Sequence, residues 1–391
     1  MFGSIYIGLS GLSAYSDGLK TVSNNVSNLN TVGFKASDVT FSDVYGGRSA
    51  GGLQYASAGS RNGHGVQVSD ISVNFGQGEL RQTDRDLDLA VDGNGFLVLL
   101  DGNQTFYTRT GSFVVDEDGF VVLAGTDYRL AVLDSAGRPV SVNIDEHRIT
   151  APEITTRVEF ADNLSSTATQ YTLPDLRIYD ARGTAHVWTA EFTRDETIFD
   201  EWTLTVTDEA GTVIGTETLK FIGGAVDPAT ASFTFENSAA GLSVEFDFTA
   251  VSSFSSGSVS SMRAADIDGQ ATGSIVQLAV NARGELEITY SNEEKHQLGA
   301  IALADFRDPQ KLERRSGGLF AHSGFGQVQY LSAEDARVGT ILSRRLEASN
   351  VDLGSQFGDL ILIQRGFQAS SQIISVSNDM IQQLFGMRGQ G

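Results

Sequence analysis

The sequence predicts a chain of mixed α and β structure, with long N- and C-terminal α-helices pairing as a coiled-coil-like unit and nested all-β domains between them. Three observations lead there. Apolar residues recur at helical spacing at both chain ends, short alternating runs bounded by turn pairs fill the interval, and charge is segregated between the two. Residues 1–35 carry a net +1 and residues 346–391 a net −2, which leaves −21 of the total −22 on residues 36–345. Near-neutral ends suit burial, and an acidic middle suits water.

In the N-terminal segment Ile5, Leu9, Leu12, Tyr15, Leu19, Val22, Val26 and Leu29 follow one another at steps of three or four, one stripe of an amphipathic helix. Ser10, Ser13, Ser16, Asp17, Lys20, Ser23 and Asn24 occupy the other face. Asn25, Asn28, Asn30 and Gly33 lower helix propensity and favour a turn, so the helix ends near residue 30.

At the C-terminus Leu353, Phe357, Leu360, Gln364, Phe367, Ser371, Ile374, Asn378, Ile381 and Phe385 lie on a stricter seven-residue grid. Asn350 or Asp352 is placed to cap its start. The polar positions Gln364, Ser371 and Asn378 set register at a cost in stability. Two such helices at opposite ends, each lacking tertiary partners of its own period, most simply pair with each other and then with neighbouring copies. The candidate subunit-interface residues are therefore Ile5, Leu9, Leu12, Leu19, Val22, Val26 and Leu29 on the first helix, and Leu353, Phe357, Leu360, Phe367, Ile374, Ile381 and Phe385 on the second.

Between the helices, turn pairs such as Asp92-Gly93, Asp118-Gly119, Arg182-Gly183, Ala210-Gly211 and Arg283-Gly284 separate short β runs and read as hairpins. Alternation is clear in 177–179, 186–192 and 202–207. A length of 391 residues suggests two or three domains. Polar residues and Pro152 mark one boundary near 145–152, and the serine-rich run 252–261 reads as a linker on the return crossing. The layout expected is terminal helices at 1–35 and 346–391, connecting segments at 36–70 and 325–345, an inner β domain from 71–145 and 269–324, and an outer inserted β domain at 146–268.

Composition excludes several function classes. There is no cysteine, so neither a disulfide nor a thiolate metal site is available. A net charge of −22 argues against a phosphate-tracking surface, so no nucleic-acid partner is expected. No run approaches the roughly 20 apolar residues of a membrane span. The first nineteen residues lack Lys and Arg and precede no apolar signal core, which leads to an expectation of export without a cleaved signal peptide.

Few residues are spaced for chemistry. His64, His147, His186, His296 and His322 are scattered, with no zinc spacing. Asp84, Asp86 and Asp88 begin like a calcium loop, but Leu89 and Gly95 stand where an EF-hand needs Gly and Glu, so they read as one polar face of a strand. No P-loop, GxGxxG or GxSxG occurs. No catalytic, metal or cofactor-binding residue is assigned, and the chain is not expected to be an enzyme.

Three segments resemble the family of flagellar axial proteins, the rod and hook subunits. SGLSAYSDGLKTVSNNVSNLNTVGFK (10–35) is similar to its opening helix, GHGVQVSDISVNFGQGELRQTDRDLDLAVDGNGFLVL (63–99) with YTRTGSFVVDEDGFVV (107–122) to its central β signature, and LEASNVDLGSQFGDLILIQRGFQASSQIISVSNDMIQQL (346–384) to its closing helix. YSNEEKHQLGAIALADF (290–306) and an insert of roughly 120 residues point to the hook branch. Leu97, the strand Leu130-Ala131-Val132-Leu133 and Gly366 depart from the family pattern, and Gly366 is expected to soften the closing helix. The resemblance implies a homopolymeric tube with terminal helices innermost, type III export to an extracellular flagellar location, and distal rod, hook cap and hook–filament junction proteins as partners. A distal rod or hook-associated role is the alternative within the family. An extracellular β-rich adhesin explains the acidic, cysteine-free middle but neither terminal stripe.

Overall fold

The structure, a computed structural model, describes residues 2–44, 65–195, 198, 200–257, 259–322, 324 and 328–388. Helix α1 (Phe2–Ser27) opens the chain and helix α2 (Leu353–Arg388) closes it, with β strands between. The asparagines after α1 turn the chain, Asn28 N donating to Asn24 O and Thr31 N to Asn28 O, before Gly33 takes the left-handed conformation at φ 70°. Asp352 caps α2, its carboxylate accepting from Ser355 N at 3.0 Å. Asn350, the other candidate, is used elsewhere.

The chain divides into two compact units, one of Met1–Asp145, Leu278–Glu287 and Gln297–Gly391, the other of Glu146–Gln277 and Ile288–His296. Residues 269–277 and 288–296, assigned by sequence to the inner domain, thus cluster with the inserted block.

The first unit contains a 12-stranded sheet. Its centre is buried on both faces, with Leu89, Ala90, Val91, Leu97, Val98 and Leu99 all at 0% exposure. That overturns the reading of a half-polar strand through Asp84, Asp86 and Asp88. The strand begins only at Asp88, which is itself buried, while Asp84 and Asp86 lie in the preceding bend and turn. Phe75, Phe96, Phe306 and Phe320 meet with centroids 5.3–5.8 Å apart, mostly edge to face. Leu97 and the strand Arg129–Leu133, two departures from the family pattern, pack into this interior.

The expected connecting segments carry strands of their own. β1 (Ser37–Asp43) and β2 (Val66–Val73) form an antiparallel ribbon with a bulge between Thr40 and Phe41, and residues 45–64 lie outside the described residues. Val328–Leu331 and Thr340–Ser343 join the main sheet, pairing with Leu303–Phe306 and Asp88–Asp92.

The second unit holds a 9-stranded sheet. Strict alternation sends Trp188, Ala190 and Phe192 from one strand, and Trp202, Leu204 and Val206 from the next, into a core completed by Phe160, Phe246 and Phe248. Arg157–Asn163 runs parallel to Leu242–Ser252. The serine-rich run is a loop inside this unit rather than a crossing between domains, since Leu242–Ser252 and Arg263–Ile267 both pair with Arg157–Asn163. Asn163 folds the loop down by donating to Phe254 O at 3.1 Å and accepting from Phe254 N at 2.8 Å.

One turn device recurs in both units. In Asp134–Arg138, Asp180–Thr184, Asp208–Thr212 and Asn281–Glu285 the first side chain accepts from the amides two and four residues on, at 2.7–3.1 Å. Glycine takes the fourth position at φ 73–79°. These hairpins use Asx-anchored loops with a left-handed glycine, not two-residue turns.

Candidate assembly interface

The two terminal helices pack along a seam of small residues. On α1 the buried positions are Gly8, Gly11, Ala14, Gly18, Val22 and Asn25. On α2 they are Gln356, Ile363, Ser370 and Ser377, with Gly366 half-buried. A Cβ added at Gly8 would lie 2.7 Å from Ile374 Cγ1, one at Gly18 would lie 3.2 Å from Ile363 Cδ1, and one at Gly366 would lie 2.6 Å from Tyr15 Cε1. Glycine is therefore what lets the backbones approach, and Gly366 seats Tyr15 where a side chain would displace it. This gives Gly366 a packing role inside the helix beyond the softening expected from propensity.

Below the helices their connectors are tied into a neck. Gly33 N donates to Glu347 O at 2.8 Å, Asn350 N to Phe34 O at 3.3 Å, and Ala36 N to Asn350 Oδ1 at 2.7 Å. The Asn350 amide donates to Asn74 O and Gly76 O at 2.7 and 2.8 Å. Asn25, fully buried at the end of α1, donates to Ser37 O at 2.8 Å and to Gln356 Oε1 of α2 at 2.9 Å, and accepts from Ser37 N at 3.0 Å. Arg314 lies over the Phe34 ring at 4.6 Å and donates to Ser37 Oγ at 2.7 Å.

At the centre of the neck is a buried charge cluster. Lys35 Nζ sits 2.7 Å from Glu347 Oε1, both side chains at 1% exposure or less, and donates to Gly76 O at 2.8 Å. Gly78 N donates to the same carboxylate oxygen at 2.7 Å. Arg109 Nε approaches Glu347 Oε2 at 3.7 Å, beyond hydrogen-bonding distance, while its Nη1 donates to Gly95 O at 2.8 Å and its Nη2 to Gly93 O. Burial pushes the Lys35 amine below the ordinary lysine value against the pull of Glu347, and likewise lowers Arg109.

The fourteen residues singled out from sequence fall into two groups. Ile5, Leu12, Val22, Val26, Leu29, Leu360, Ile374 and Ile381 are buried or half-buried within the subunit. Leu9, Leu19, Leu353, Phe357, Phe367 and Phe385 are exposed, Phe385 at 70%. The seam coincides with the seven-residue grid at 360, 374 and 381 and elsewhere runs one residue before it, at 356, 363, 370 and 377. Periodicity selected large apolar residues, whereas close helix contact selects small ones, so the grid mixed two faces. The neck residues Lys35, Arg109, Glu347 and Asn350 were not anticipated as a site. Lys35 and Glu347 are 312 positions apart, and nothing in local pattern links them.

Among the described residues no group of three or more His, Cys, Asp or Glu is placed to hold a metal ion, and no helix is long and apolar enough to cross a membrane. His147 and His296 stack in the second unit with centroids 4.8 Å apart, and His64 lies outside the described residues.

Three protein families match parts of the chain. Residues 5–35 match the family described as flagella basal body rod protein, residues 90–163 the flagellar hook protein FlgE/F/G D1 domain, and residues 342–387 the flagellar basal body rod FlgEFG protein C-terminal family. The flagellar hook protein FlgE of Brucella suis biovar 1 is 31% identical over 413 residues, covering 99% of each chain. That of Salmonella typhimurium is 29% identical over 416 residues, covering 97% of this chain and 98% of the relative. A crystal structure of Helicobacter pylori flagellar hook protein FlgE2 overlaps 68% of this chain and 100% of its own at 13% identity and a TM-score of 0.49. With near full-length identity above 30% and family matches at both ends and over residues 90–163, the chain belongs to the flagellar hook protein FlgE family.

Proposed function

We propose that this chain is a structural subunit of the flagellar hook, polymerising with copies of itself into a flexible tube that passes torque from rod to filament. The observation that carries the reading is the division of labour on the terminal helices. The seam between α1 and α2 consumes their small residues and leaves large apolar side chains bare, among them Tyr6 at 68%, Leu9 at 53%, Phe357 at 52%, Leu362 at 68% and Phe385 at 70%. Soluble monomers rarely leave such a strip open, and copies of the same helix pair are its natural cover. In the assembled tube the helices pair as a coiled-coil-like inner layer, and the acidic β units face outward.

The role is mechanical rather than catalytic. Distal rod, hook cap and hook–filament junction proteins are the expected neighbours at the polymer's ends, and export proceeds without signal cleavage. Concentrating the purified protein and imaging it in negative stain tests the reading. Curved tubes of uniform diameter are expected, and a protein that stays monomeric at every concentration contradicts it.

A further inference from the structure

The seam poses a problem of register. Its contact positions on α1 are mostly Gly8, Gly11, Ala14 and Gly18, with Gly8 and Gly11 against Ser370 and Ile374 and Gly18 against Ile363, and such small α1 residues interlock weakly. A slip of one helical turn would bring similar residues into contact. Among the described residues the seam's own alignment is pinned only by the Asn25–Gln356 hydrogen bond and by Tyr15 at Gly366, which leaves the connectors to complete the selection.

The charge cluster in the neck has the properties required. Lys35 follows α1 by eight residues and Glu347 precedes α2 by six, so their contact fixes where both helices leave the β unit. Glu347 Oε1 is shared between Lys35 Nζ and Gly78 N, and Arg109 is held by Gly93 O and Gly95 O. Sliding either connector by one residue would leave a buried charge unpaired. As a source of stability the cluster is poor. It places two cations on one anion, and Arg109 Nε and Glu347 Oε2 are buried without a hydrogen bond. Buried ionic groups of this kind are often replaceable by apolar ones without loss of stability, and fixing register is their best-attested use.

We propose that Lys35, Arg109 and Glu347 form a register latch, which selects the alignment of the terminal helices that lets a subunit join the tube. The inference rests on the reading of the chain as a polymerising subunit. The latch contributes to which helix pair forms, not to how tightly the β unit folds.

Two variants of the full chain test it. The apolar triple Lys35→Met, Arg109→Met, Glu347→Leu removes the charges together, and Glu347→Gln strands the two cations. Each is followed by thermal unfolding, by tube assembly, and by a register readout in which Gly11→Cys is paired with either Ser370→Cys or Ile374→Cys in the otherwise cysteine-free chain. The triple variant should melt within a few degrees of the parent, lose the preference for the 11–370 disulfide, and raise the critical concentration for tubes at least about tenfold. Parent-like tubes and an unchanged 11–370 preference in the triple variant overturn the proposal, as does failure of both variants to fold. If the parent itself forms no tubes, the hook reading fails, while the disulfide preference still decides on the latch.

Discussion

Replacing Phe357 by serine should weaken assembly while sparing the subunit. The ring is 52% exposed on α2. A phenylalanine side chain presents about 200 Å², so about 100 Å² is open for burial by a neighbouring copy. At ~25 cal/mol per Å² its loss costs about 2.5 kcal/mol for each subunit added. That raises the critical concentration roughly 70-fold. Folding of the free subunit should change by no more than about 0.5 kcal/mol, because half of the side chain already faces water and serine and phenylalanine have about the same helix propensity. Sedimentation of polymer across a concentration series gives the first quantity, and circular dichroism during melting gives the second. Ile363→Ala is the contrasting control: Ile363 is 6% exposed in the seam, so it should cost about 2–4 kcal/mol within the subunit. A Phe357→Ser protein that folds normally and polymerises within twofold of the parent refutes the reasoning.

Three further outcomes are expected. Trp202→Ala removes a fully buried ring from the second unit and should cost about 3–5 kcal/mol there. Since the chain's 2 tryptophans both lie in that unit, fluorescence of the remaining Trp188 should report its melting point falling by about 10 °C. Gly366→Ala should fail to gain the roughly 1 kcal/mol that helix propensity alone promises, because the new Cβ clashes with the Tyr15 ring; a rise of that size in helix melting would show the seam is looser than drawn. The Asp180 carboxyl, held down to about 2 by the Thr184 amide first and then by Arg182 and His186, should keep its turn closed in acid. Its stabilising contribution is full above the unfolded value near 3.8 and is lost as pH falls through about 2, so the Arg182 and Thr184 amide resonances should move near pH 2. Movement centred at pH 4 contradicts this.

Much of the architecture was legible because it rests on short-range periodicity. Period-three-and-four spacing marks both helices, and alternation marks Ala185–Arg194 and Glu201–Thr207, whose inward residues are the second unit's core. Three things escaped for physical reasons. Strands covered on both faces, such as Phe96–Asp101, carry no alternation to read. A serine-rich run looks the same whether it is a free linker or a loop pinned by a distant asparagine. Glycine in a helix signals weakness locally and close approach globally, and only the position of Tyr15 separates the two at Gly366. The neck is the extreme case, since its ion pair joins opposite ends of the chain.

The central claim is that α1 and α2 of one chain share the small-residue seam, leaving their large apolar faces to neighbouring copies. A Cβ at Gly11 would lie 3.2 Å from Ser370 Cβ, close to disulfide spacing. In the assembled tube, oxidised Gly11→Cys, Ser370→Cys protein should therefore run as a single cross-linked chain on a denaturing gel, with tubes intact. A ladder of chains joined one to the next would place the seam between subunits and contradict the account.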